Sequence, residues 1–106
     1  MDGKIVNLTP HAIRIKGRMV DTEIPSSGIA RLNEMIVDDG LLGGIPVIEQ
    51  IRGPANGLPD PQDGIYYIVS RPVFDSLPHR KDLLAVGEPI RDEKGNVIAA
   101  KNLVRR

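Results

Sequence analysis

The sequence has no cysteine and no tryptophan, and its aromatic side chains are Tyr66, Tyr67 and Phe74 alone. Without thiols, disulfide staples and thiolate metal centres are excluded. The same lack suits a reducing cytoplasm, the expected location. Two histidines, His11 and His79, fall short of the three or four ligands of common metal sites, so no metal and no cofactor is expected. Three aromatics make no stacking platform for single strands. Fourteen basic residues balance fourteen acidic ones, which leaves no field to hold a polyanion. Polymeric nucleic acid is therefore not an expected partner. No apolar run approaches the length of a bilayer-spanning helix, and Met1-Asp2-Gly3-Lys4 is not followed by the apolar stretch of a leader, so no membrane partner is expected either.

What the chain does have is β-branched aliphatic residues and frequent interruptions. Its 106 residues fit one domain, 1–106, whose core must come from Ile, Val and Leu. Eleven glycines and nine prolines forbid a long helix. Ile5–Leu8 reads as a strand broken at Thr9-Pro10-His11. Residues 12–16 alternate apolar and polar, and 20–24 form the return strand of a hairpin with Val20, Thr22 and Ile24 inward. The order I-A-R-L-N-E-M-I-V over 29–37 suits either a strand, which is preferred, or a short helix capped by Ser26-Ser27-Gly28. Residues 38–44 read as a loop, 45–52 as a strand, and the proline-rich 53–64 as a long surface loop. Residues 65–70 are apolar on both faces and predict a central strand, with Tyr66 and Tyr67 on opposite sides.

Pro72 predicts the start of a helical turn ended by Pro78. Residues 88–91 and 96–100 flank Asp92-Glu93-Lys94-Gly95 as a hairpin. Residues 101–106 are expected to continue the last strand before fraying into a basic tail. The sum is a mainly β fold, a compact small barrel or sandwich of about seven short strands with one or two short helical turns.

No catalytic residue is assigned, because no nucleophile, metal or phosphate-loop spacing is present. Two clusters offer donors. Asn7, Thr9 and His11 gather at a strand break, where they point at a ligand or close a local turn. Ser70, Arg71, Arg80 and Lys81 offer hydroxyl and cationic donors suited to phosphate, or form a solvated charged loop with Asp75 and Asp82. The acidic pairs Asp38-Asp39 and Asp92-Glu93 read as turn residues.

Val6-Asn7-Leu8-Thr9-Pro10-His11, then Pro25-Ser26-Ser27-Gly28-Ile29-Ala30-Arg31, Tyr67-Ile68-Val69-Ser70, Arg80-Lys81-Asp82-Leu83 and Arg91-Asp92-Glu93-Lys94-Gly95-Asn96-Val97-Ile98 occur in order along the chain. This series resembles a family of small phage, prophage and actinobacterial proteins. Ala99 stands where that family usually has glycine. The resemblance implies an accessory protein acting in a host bacterial cell. Some small phage accessory proteins counter host defence by sequestering cyclic or ADP-ribose-like nucleotide signals in oligomer pockets. The expectation is thus a non-catalytic homo-oligomer that sequesters a small phosphorylated nucleotide through Asn7, Thr9, His11, Ser70, Arg71, Arg80 and Lys81. The alternatives are a protein-interaction or structural phage module, and a small nucleotide hydrolase with His11 or His79 as general base. The nucleotide reading requires the broken first strand and the segment after the central strand to meet.

Overall fold

A computed structural model describes residues 3–106; Met1 and Asp2, which carry part of the leader argument, lie outside them. Strands make up 51% of the chain and one short helix 6%. They are β1 (Lys4–Asn7), β2 (Ile13–Lys16), β3 (Asp21–Ile24), β4 (Arg31–Leu42), β5 (Ile45–Asn56), β6 (Ile65–Ile68), α1 (Arg71–Ser76), β7 (Leu83–Val86), β8 (Pro89–Arg91), β9 (Val97–Ala100) and β10 (Leu103–Val104).

One four-stranded sheet has the order β1-β6-β7-β10 and a second has β3-β2-β9-β8. In the first, β1 and β7 both run parallel to β6, with Val6 opposite Tyr67 and Tyr67 opposite Leu83. That makes β6 the central strand its doubly apolar sequence predicts. Period-two alternation then sends Val6, Tyr67, Leu83, Ala85 and Val104 to one face. There they meet Leu8, Val69 and the α1 residues Val73 and Phe74 to form the main core. A second buried set, Ile15, Ile68, Leu84, Ala99 and Ala100, draws on both four-stranded sheets. Burial of a side chain of this kind is worth about 1.5–3 kcal/mol.

Helix α1 starts as proline chemistry dictates. Ser70 is its N-cap in extended conformation, and Pro72 occupies the first turn, where its missing N–H is not needed. Pro89 sits in β8, at the edge of its sheet. The predicted hairpin between β8 and β9 turns at Gly95 (φ 86°), with the Asp92 N–H donating to Asn96 O at 2.9 Å.

The mainly β fold is as expected, with ten strands among the described residues. Three expectations are corrected. Val20, just before β3, and Thr22 within it are exposed, and only Ile24 is partly covered. Residues 101–106 do not fray: Leu103 and Val104 pair with Val86 and Ala85, and Arg106 donates to the carbonyls of Phe74, Leu77 and Arg80. The largest departure concerns the expected loops 38–44 and 53–64. The strand preferred over 29–37 runs on to Leu42, and β5 extends to Asn56. Together they form an antiparallel hairpin of two twelve-residue strands that pairs with neither four-stranded sheet.

The turn of this hairpin is Gly43-Gly44, with φ of 58° and 82° and Leu42 paired to Ile45. Two adjacent positive φ values are what a two-residue primed turn demands, and glycine supplies them without a Cβ penalty. A bulge between Asp38 and Leu41 absorbs Asp39 and Gly40, and the Asp38 carboxylate accepts the Gly40 N–H at 2.9 Å. At the base, Leu32, Ala55 and Leu58 pack against the main core. Beyond it the hairpin is an arm: every β4 residue from Asn33 to Leu42 is exposed. The radius of gyration is 17.1 Å, against about 13 Å for a compact chain of this length.

Candidate functional site

The Asn7–His11 cluster folds inward on itself. Asn7 is fully buried, and all its polar atoms are engaged. Its amide nitrogen donates to His11 O at 2.9 Å and Ile24 O at 3.0 Å. Its carbonyl oxygen accepts the Thr9 N–H at 2.9 Å. The Thr9 hydroxyl lies 2.6 Å from Asn7 Oδ1 and 3.1 Å from His11 O, so its single proton is spent within the loop. Ser26 adds a bond from its hydroxyl to Thr9 O at 2.6 Å. Pro10 explains the need for this knot: the chain leaves the ladder there, and a buried asparagine stands in for the missing backbone partners. Of the three candidates only the His11 side chain faces solvent.

The second cluster is split by topology. Because β1, β6 and β7 are parallel, their starting ends coincide. Arg80 and Lys81 precede β7 at that starting end. Ser70 and Arg71 follow β6 at the finishing end, on the side of Asn7, Thr9 and His11. Within one chain the seven candidates therefore occupy two ends of the sheet and surround no common space.

Arg80 and Lys81 border an open depression of about 410 Å³ with His79, Asp82, Asp63 and Tyr66. Arg80 is committed inside it. Its Nε and Nη2 grip the two oxygens of Asp82 at 2.8 and 2.7 Å, and Nη2 also donates to Pro59 O at 3.0 Å. This fork, with side chains only 15% and 13% exposed, holds the Asp82 carboxyl below the ordinary carboxylate range and the guanidinium above its own. The lining sets two carboxylates, Asp63 and Asp82, against Arg80 and Lys81, so the depression offers a phosphate little net charge. Arg71 lines a different hollow with Glu88, Asn102 and Arg105, and its nearest carboxylate is Asp75 at 3.6 Å. Ser70 makes no side-chain capping bond, and the six-residue α1 builds little macrodipole.

The arm is the feature that the residue-by-residue search for donors missed. Register assigns its faces, since cross-strand partners share a side. Met35 pairs with Ile51, Val37 with Glu49 and Leu42 with Ile45, and Val47 lies on the same side of β5. That face carries six apolar residues and two carboxylates, Glu49 and, two residues on from Val37 and opposite Val47, Asp39. The opposite face carries Glu34, Ile36, Asp38, Leu41, Pro46, Ile48 and Gln50, a mixture, with Gln50 and Glu34 bonded across the strands at 3.5 Å. On the apolar face Met35 is 61% exposed, Leu42 74% and Ile45 66%. The signal in the sequence was the Gly43-Gly44 pair between two runs rich in Ile, Val, Leu and Met. Asp38-Asp39-Gly40, read as loop, hid it.

Among the described residues no three histidine, aspartate or glutamate side chains gather to hold a metal ion, and no helix is long and apolar enough to cross a membrane. No protein-family model, no curated protein and no solved structure matches the chain.

Proposed function

We propose that this protein is a non-catalytic interaction module whose working element is the β4–β5 arm. The observation that carries the reading is one ribbon face on which Met35, Val37, Leu42, Ile45 and Ile51 stand exposed together, with Val47 half-buried among them. Contiguous exposed apolar surface of this kind marks sites of association. A rooted base supports the same reading: Leu32 and Ala55 belong to the core, so the arm is presented by a fixed body. The phage-type accessory setting implied by the sequence resemblance is compatible with it.

The test shortens the arm by joining Glu34 to Arg52, its cross-strand partner, through a two-glycine turn. The body of such a variant keeps its thermal transition, while association measured by light scattering and by binding to its partner is lost. Retention of every association by the shortened chain would sink the reading. Nucleotide sequestration keeps the support of the resemblance alone, because its seven contacts lie at two ends of one sheet. Calorimetry against cyclic dinucleotides and ADP-ribose derivatives decides it.

A further inference from the structure

Resting on that reading, we infer that the occupant of the apolar face is the same face of a second copy of this chain, the two arms stacking face to face into a four-stranded sandwich. Three observations lead there. A two-stranded ribbon is marginal in water unless further strands or another layer cover it. This one is twelve residues long, roughly 40 Å at the usual rise, and borrows cover from its own body only at the base. A covering layer is thus needed whenever the protein is folded, and an identical chain is always present with it.

The area is sufficient. From the exposures of Met35, Val37, Leu42, Ile45 and Ile51, one arm shows on the order of 500 Å² of apolar surface on this face. Two arms therefore remove about 1,000 Å² from water, the threshold at which specific interfaces begin. A twofold contact needs one patch to match itself, and the six apolar residues supply it where the stacking keeps Asp39 and Glu49 at its rim. Sheet faces lined with Ile, Val, Leu and Met stack at about 10 Å.

Sedimentation equilibrium of the full chain over a concentration series tests this. The expected species is a dimer, twice 11.6 kDa. Met35→Glu and Val47→Lys, on the apolar face, should each raise the dissociation constant at least a hundredfold with unchanged far-ultraviolet circular dichroism. Ile36→Lys and Ile48→Lys, on the opposite face, should leave it within a few fold. Because the chain has no cysteine, Val37→Cys provides a clean second readout, an oxidised dimer forming faster than with Ile36→Cys. A monomer at every concentration overturns the inference, as does a dimer indifferent to Met35→Glu and Val47→Lys. Either result leaves the interaction reading standing if the shortened arm still abolishes binding to another macromolecule. If shortening abolishes nothing, both fall.

Discussion

Arg106 lays its guanidinium over the ring of Phe74, 4.1 Å from the centroid, while its Nη1 donates to the Phe74 carbonyl at 2.7 Å. The other terminal nitrogen reaches the carbonyls of Leu77 and Arg80. A single side chain thus serves acceptors at and beyond the end of α1, where a cation is favoured. Arg106→Ala should cost about 1–2 kcal/mol, from the lost ring contact and hydrogen bonds. Arg106→Lys should recover less than half, because an ammonium lacks the planar fork. Urea midpoints of the three proteins measure both effects, and an unaltered midpoint for the alanine variant would refute the role.

Asn7 holds the strand break. Asn7→Ala leaves the Ile24 and His11 carbonyls and the Thr9 N–H to find other partners in a buried site, at roughly 3 kcal/mol. Asn7→Asp keeps the shape but points a carboxylate at two carbonyls, so at neutral pH it should be at least as damaging. Acidification, which supplies a proton to donate, should narrow its deficit. Thermal melts of both variants at two pH values provide the check.

The Arg80–Asp82 fork sets an acid limit. Asp82 has its folded-state pKa depressed, chiefly by the hydrogen bond from Arg80. Its contribution is therefore complete above its unfolded value of about 4 and disappears as pH falls through the lower folded value. Asp82→Asn should be less stable at neutral pH by about 1.5–3 kcal/mol, the range for hydrogen bonds to charged groups. Its stability should also vary less with pH below 4. Denaturant midpoints across a pH series would show parallel acid limbs if the fork contributed nothing.

Gly57 is where the arm returns to the body. Its φ is +79°, and a Cβ there would strike the carbonyl oxygen of Ile29. Gly57→Ala should destabilise by about 1–3 kcal/mol through left-handed strain together with the collision. Gly40→Ala, also at positive φ but with open space around it, should cost less. Equal losses at the two sites would contradict the steric argument.

What could be read from the sequence follows from how local each cause is. The hairpin at 92–95 was legible because the Asp92 carboxylate accepts the Lys94 and Asn96 N–H groups within its own turn. The start of α1 was legible because Pro72 acts on its own residue. The strand at 31–37 could be preferred, but its length could not be read. Asp38-Asp39-Gly40 has the chemistry of a loop, and only its cross-strand partners reveal a bulge inside a continuing strand.

The two donor clusters were correctly seen as rich in hydrogen-bonding groups. Their inward use depends on neighbours 17 residues away for Asn7 and 21 for Arg80, which spacing along the chain does not disclose. Arg106 was unreadable for the same reason, its carbonyl partners lying 26 to 32 residues earlier.

The parallel pairing of β1 has a temporal consequence. Lys4 faces Ile65 and Asn7 faces Ile68, so the opening strand stays without a ladder until some sixty further residues have left the ribosome. The β4–β5 ribbon, closed by adjacent residues at Gly43-Gly44, has all its cross-strand partners by Asn56. During synthesis its pairing therefore begins before the body that covers its base exists, as a marginal two-stranded ribbon. A fragment stopped before Ile65 should show weak ribbon signals and no cooperative melting.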